Sequence, residues 1–302
     1  MRSVCPFGAP TTLETGVELM RQSAPRVSVN EIVEVYWRFL SRNKQYAQHF
    51  EQYKKRYQSD QKAAEAEAVV FSLLRAEKQN PDIFEDPGTG GPDFLCHPSS
   101  TDSFLVEVTS LDSDSMSKKS DLPRTMTGAG GGAFGLITEK LLSSAKNKAR
   151  QLGGRSLPGV LAIVSDYDFA GLLMDRMAAQ YLMTSSPQIN VPLDGRPEYV
   201  TTDFAHAAFC SLGLLDASGN QMITPRRQSI SAILLITIHP NESRVVGLLH
   251  PEPAIAFDPN WFPKVPYLRF THWPLTSGKV ETEWILGDVE HRDAAFEHRL
   301  IR

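Results

Sequence analysis

Apolar positions recur at two periods along this chain, and the switches between those periods predict most of its elements. Spacing of three and four residues marks VNEIVEVYWRFLSRN after Ser28, then Tyr46 to Ser59, then Asp60 to Lys78, and predicts three helices. Ser28 or Asn30 is placed to cap the first, and the third stops ahead of Asn80-Pro81. Short runs rich in Val, Leu and Phe follow. Ile83 to Pro87 reads as a short strand or a turn, and DFLCHP (from Asp93) and SFLVEVTSL (Ser103 to Leu111) read as two strands joined by a polar turn. Residues 112–133 form a Ser/Lys/Gly-rich loop ending in GAGGGAFG, long enough to be functional or mobile. A helix is predicted from Leu136 to Leu152, stopped by Gly153-Gly154. Pro158 to Asp168 reads as a buried strand whose Asp168 caps a helix over FAGLLMDRMAAQYLM, and a further helix is predicted from Thr202 to Leu215. The strands SISAILLITI and SRVVGLLH precede a Pro- and aromatic-rich tail to Arg302.

The centre therefore runs helix, strand, strand, strand, helix, strand, an α/β arrangement with a mixed sheet flanked by helices. The expected organisation is a lead and helices over 1–59, an α/β core over 60–240, and a C-terminal extension over 241–302 packed on that core. Residues 1–27, rich in Pro, Thr and Ser, read as an extended or partly ordered lead.

Two acids stand out against this pattern. Asp93 and Glu107 each lie on an apolar strand, with thirteen residues between them, a spacing that suits adjacent antiparallel strands. In Phe104 to Leu111, Glu107 shares a face with Leu105, Thr109 and Leu111, while Phe104, Val106 and Val108 form the other face. Both faces are apolar, so this strand is expected to be central and Glu107 buried. Asp93 shares a face with Leu95 and His97. A buried carboxylate is expensive without a partner, and a divalent cation held between two such acids would supply one. On the preceding helix, Glu67 falls in the stripe of Ala63, Val70, Phe71 and Leu74, whereas Glu65 points to a more polar face. On the following helix, Lys148 and Gln151 line one edge of the Leu141, Leu142, Ala145, Ala149, Leu152 stripe, and Lys146 lies off the opposite edge.

Bulk composition narrows the partners. The chain has 302 residues, 41% of them apolar, and a net charge of -4, so a surface for nucleic acid has to be local. Basic residues do cluster, at Lys54-Lys55-Arg56, at Lys146, Lys148, Arg150 and Arg155, and at Arg226-Arg227. Three dispersed cysteines without a CxxC pair fit a reducing compartment. MRSVCPFGAPTT lacks the apolar core of a signal peptide, and Ile230 to Ile238 is too short to cross a bilayer; a cytoplasmic protein with no membrane partner is expected. The glycine-rich loop lacks the GK[ST] of a nucleotide-binding loop. The histidines show no zinc spacing. His206, His239 and Cys210 read as structural, and there is no GxSxG elbow.

Glu67 on a helix, Gly-Pro-Asp93-Phe on a strand, Glu107-Val-Thr109 on the next and Lys148-x-x-Gln151 on the following helix resemble the PD-(D/E)xK nuclease superfamily over residues 60–170. The resemblance implies a restriction-endonuclease-like αβββαβ core. It further implies Mg²⁺ (or Mn²⁺) bound by Asp93, Glu107 and Glu67, with Lys148 stabilising charge and Gln151 orienting substrate or water. This chain departs from the motif at Thr109, where the superfamily carries lysine; some members place that lysine on the next helix, which suits Lys148. The implied activity is hydrolysis of phosphodiester bonds in DNA, or in RNA, by a protein able to act as a homodimer or in a larger complex. The alternative is a non-catalytic nucleic-acid-binding or scaffolding module of the same fold, with Trp261, Phe262, Trp273 and Trp284 as partner surfaces.

Overall fold

Ser28 opens the first helix. Its hydroxyl accepts the backbone N–H of Glu31 while the Glu31 carboxylate accepts the N–H of Ser28, a reciprocal capping box. In this computed structural model the described residues are 28–85, 90–111, 132–165, 174–185, 188–190, 199–202, 204–215, 221–239, 242–275, 279–287 and 296–300. Helix α1 spans Val29–Arg42, α2 Ala47–Ser59 and α3 Gln61–Ala76, the last capped by the Asp60 side chain on the Ala63 N–H. Three strands follow, β1 (Asp82–Ile83), β2 (Phe94–Cys96) and β3 (Phe104–Leu111), then α4 (Gly132–Leu152) and β4 (Gly159–Ser165). The rest comprises α5 (Arg176–Thr184), β5 (Gln188–Asn190), β6 (Tyr199–Thr202), β7 (Cys210–Leu215), β8 (Gln221–Pro225), β9 (Ala232–His239), β10 (Glu242–Leu249), β11 (Tyr267–Phe270), β12 (Lys279–Ile285) and β13 (Phe296–Leu300).

Eleven strands of the described residues form one mixed sheet in the order β1-β2-β3-β4-β9-β10-β11-β12-β13-β6-β5, and β7 and β8 make a separate hairpin. β1, β2 and β3 are an antiparallel meander; β4 lies parallel to β3 across the α4 crossover, and β9 lies parallel to β4. The largely apolar β4 and β9 and the apolar start of β3 follow from burial on both faces. Phe94, Val106, Val160, Ala162 and Leu234 face α1, α2 and α3 in one core, and Leu105, Leu161, Ile163, Ile233 and Leu235 face α4 and α5 in the other. The α/β class and the order helix, three strands, helix, strand are those expected from the sequence.

Several elements differ from expectation. The region Thr202 to Leu215 is not a helix: Phe204 takes a φ of +51°, which ends helical propagation, and Cys210 to Leu215 pair with β8. His206 therefore sits in a turn, its N–H on the Ser185 hydroxyl at 2.8 Å, while Cys210 is buried in the core as read. Helix α4 starts four residues earlier than Leu136, within the glycine-rich segment. Asp168 lies outside the described residues, as do residues 1–27 and 112–131; the described helix that follows is capped by Asp175. Of the aromatic tail, two residues lie in the interior, while Trp261 and Trp273 are half-buried. Phe262 is fully buried, Trp284 is buried, and Trp261 stacks on Phe104 with ring centroids 5.0 Å apart. β10, β11 and β12 continue the same sheet.

Gly247 of β10 sits in register opposite Tyr267 of β11, and a Cβ there would lie 2.1 Å from the tyrosine ring. Tyr267 is fully buried, so the ring has nowhere to retreat. Gly247→Ala is expected to lower stability by about 1–3 kcal/mol, read as a shift in the chemical-denaturation midpoint; an unchanged midpoint would mean that the ring does not cover the glycine.

Candidate functional site

Asp93 and Glu107 meet where β2 gives out. The β2–β3 register sets Phe94 across from Val106, so one further step sets Asp93 level with Glu107 on the same face. Cβ atoms of residues so opposed lie about 4.5–5.5 Å apart. Both side chains are buried, Glu107 at 1% exposure and Asp93 at 7%. Asp93 Oδ2 accepts the Val108 backbone N–H at 2.6 Å, and its carbonyl accepts the Phe84 N–H, which locks the end of the meander. Lys148 reaches Glu107 from α4, its Nζ 2.5 Å from Oε1. The other carboxyl oxygen of Glu107, Oε2, is buried without a hydrogen-bond partner.

Lys148 is aimed by its helix, and that helix is anchored beside it. Ser229 donates its hydroxyl to the carbonyl of Ala149 at 2.7 Å. Ser231, two residues on, accepts the N–H of Gly159 on its hydroxyl and donates its own N–H to the Gly159 carbonyl. The C-terminal turn of α4, the start of β4 and the lead into β9 are thus tied at one point.

Glu67 reaches the cluster from the opposite side of the sheet, on α3, and is already partnered. Tyr36 donates to its Oε1 at 2.6 Å, His49 Nε2 donates to the same oxygen at 2.9 Å, and Arg56 binds Oε2 at 2.7 Å. Arg56 turns its second nitrogen to Glu85, just beyond β1, at 2.9 Å. Gln151 is half-buried one turn beyond Lys148 and takes no part in these ion pairs. The structure therefore sets Asp93 level with Glu107 on neighbouring strands, brings Lys148 onto Glu107, places Glu67 in an adjoining ion cluster, and leaves Gln151 outside these ion pairs. Glu65, expected on a polar face, is also buried, on Lys62 and Gln61.

Four residues of this cluster were not singled out from the sequence: Tyr36, His49, Arg56 and Glu85. Arg56 is hidden inside the Lys54-Lys55-Arg56 run, of which Lys54 pairs outward with Glu51. The signal that finds it is spacing. His49, Tyr53 and Arg56 stand at i, i+4 and i+7, one face of α2, and Tyr53 at the middle is fully buried.

Charge is unbalanced here. Among the described residues, four carboxyl groups (Glu67, Glu85, Asp93, Glu107) are set against two permanent cations, Arg56 and Lys148, with His49 beside them. The result differs at each acid. Burial alone would raise Glu67, but the bond and charge of His49, then Arg56 and Tyr36, outweigh it and hold Glu67 below the usual carboxylate range. Burial, then the charge of Glu107 and of Glu67, pushes Asp93 well above its ordinary value. Burial outweighs Lys148 at Glu107 and lifts that carboxyl to about 7.

An unpartnered buried oxygen and two facing carboxyls pushed toward protonation make a site where a hard divalent cation fits by its donor chemistry. Among the described residues no three His, Cys, Asp or Glu side chains are grouped to hold a metal ion.

The sign of the pH dependence follows from the raised acids. Between 4.5 and about 7 the unfolded chain has ionised at Glu107 and the folded chain has not, so stability falls as pH rises through that window and levels off above it. The fall is on the order of 3 kcal/mol from this group, and Asp93 acts in the same direction. Unfolding in EDTA is expected to be harder at about pH 5 than at about pH 8, with the slope flattened in the Asp93→Asn, Glu107→Gln double variant. Glu67→Gln is expected to act oppositely, costing about 3–5 kcal/mol at neutral pH because it strips Arg56 of a buried partner; a loss under 1 kcal/mol in the same unfolding assay would show the pairing to be dispensable.

Comparison with protein-family models, with curated proteins and with solved structures finds no match to this chain.

Proposed function

We propose that the protein is a metal-dependent nuclease that hydrolyses phosphodiester bonds in DNA or RNA. The observation that carries this reading is the facing pair Asp93 and Glu107, buried, raised toward protonation, with one oxygen unpartnered and one ammonium in contact. The connectivity around the pair supports it. A helix leads into an antiparallel meander, a crossover helix and a parallel fourth strand, the αβββαβ order of the restriction-endonuclease-like core.

In this reading Asp93 and Glu107 hold Mg²⁺ or Mn²⁺. Such an ion, when bound, makes water a nucleophile near neutral pH and offsets charge on the phosphate. Lys148 stands where the motif lysine would act. Its ammonium, carried on the neighbouring helix and fixed against Glu107, is positioned to donate to a phosphate oxygen as negative charge develops. Thr109, half-buried on β3 two residues after Glu107, leaves room for it. Glu67 serves as a structural anion that fixes Arg56 and His49 rather than as a metal ligand, since both its oxygens are occupied. Gln151 remains a candidate for orienting substrate.

The second reading, a nucleic-acid-binding or scaffolding module without turnover, draws on Thr109 in place of lysine and on the absence of a three-donor metal grouping among the described residues. Cation dependence separates the two. Labelled single- and double-stranded DNA and RNA are incubated with the purified chain in Mg²⁺, Mn²⁺ or EDTA. Cleavage is expected only with the cation, lost in Asp93→Asn and Glu107→Gln and slowed about 100- to 1,000-fold in Lys148→Ala. Undiminished cleavage in both acid variants would sink the assignment, and binding without cleavage under every condition would establish the second reading.

A further inference from the structure

Lys146 points away from the acids, because two residues along a helix turn the side chain by about 200°. It faces a cavity of about 240 Å³ between α4 and the β7–β8 hairpin, lined also by Arg226, Arg227, Ser211 and Phe204. Two basic clusters far apart in sequence thus converge on one concavity. None of the described residues lining it is acidic. Among the described residues no carboxylate pairs with Lys146, Arg226 or Arg227.

The loop that carries the arginines is built rather than loose. The N–H of Arg226 binds the carbonyl of Phe209 at 2.6 Å, and the carbonyl of Arg226 accepts Nε2–H of His250 at 2.7 Å. His250 Nδ1 accepts the N–H of Glu252, so this buried ring is fixed as the neutral tautomer, in keeping with a pKa that burial lowers to about 4. Arg227 follows at a φ of +58°, a backbone state uncommon for residues with a Cβ, and its guanidinium donates to the carbonyl of Ala208. Arg226 and Lys146, by contrast, are exposed and uncommitted at the mouth.

We propose that this cavity binds a phosphate group. The free guanidinium of Arg226 and the ammonium of Lys146, with the charge of Arg227 behind them and no acid among the described lining residues, match a tetrahedral dianion, which arginine grips through paired N–H donors. The volume is below the roughly 300–1,000 Å³ of pockets for drug-sized ligands and suits a phosphate or diphosphate. The group can come from a polynucleotide backbone or from a free phosphorylated small molecule, and the chemistry of the pocket is the same for both.

The test uses the full chain in EDTA, so that it does not depend on cleavage or on the acid pair. Inorganic pyrophosphate is titrated calorimetrically, and a fluorescein-labelled single-stranded oligonucleotide is followed by anisotropy over a series of salt concentrations. Lys146→Ala and Arg226→Ala are the variants; Arg227 is kept, because its guanidinium holds Ala208. Each variant is expected to weaken pyrophosphate binding about tenfold with an unchanged melting temperature. If the polynucleotide backbone is the source, each also lowers the salt slope of oligonucleotide binding by about 1. Loss for pyrophosphate alone identifies a free phosphorylated molecule and still supports the site. Wild-type protein that binds neither probe, or variants that bind both as tightly as wild type, would overturn the proposal.

Discussion

Among the described residues, the end of the β2–β3 pair gathers more buried carboxyl groups than cations to meet them. Much of the architecture around that point reads as a response. Helices α1 and α2 bring Tyr36, His49 and Arg56 onto one carboxylate, and that acid ionises readily. Helix α4 brings one lysine to a second acid, and that is not enough to offset its burial. Asp93 receives a backbone N–H and, among the described residues, no side-chain cation, and burial with the neighbouring acids drives it toward its neutral form. Three acids within one neighbourhood are thereby sorted by the number of donors each receives, and the two left in deficit are the two that face each other.

This sorting depends on layers. α3 and α4 lie on opposite faces of the sheet, yet both contribute to the same neighbourhood, because β2 is only three residues long and the sheet ends beside Asp93. Charge on one face is felt on the other, as the influence of Glu67 on Asp93 records.

Much of this was legible in the sequence, for reasons that differ by residue. Period-two alternation in Phe104 to Leu111 was enough to pair Glu107 with Leu105 and Leu111 and to expect a central strand, because a slip by one residue would invert every side chain. An acid in an apolar helical stripe marked Glu67 as buried, and stripe geometry singled out Lys148 from its neighbours. What stayed hidden was the identity of partners. Arg56 looked like one of three surface cations, and nothing in residues 83–85 announced that Glu85 would join it, because such a pairing joins residues far apart in sequence and leaves no local pattern. The region 202–215 misled for a related reason. Its alanines favour a helix, and only the left-handed backbone at Phe204 and the pairing with β8 decide otherwise. Trp261 and Phe262 looked available for partners, and it is Phe104, far away in sequence, that packs against both.

The two serines at 229 and 231 have a mechanical consequence. A lysine ordinarily gives up close to 2 kcal/mol of side-chain freedom when it is held in one place, and a frayed helix end would add backbone motion to that loss. Ser229 pins the carbonyl next to Lys148 while Ser231 staples the neighbouring strand start, so α4 behaves as a beam clamped at its working end. The ammonium is delivered by a stiff support with only its own four-carbon stem left to swing. The clamp belongs to the same stretch of chain that presents Arg226 and Arg227, so the stiffness of one basic group and the posture of the other two are set by a single short span of backbone.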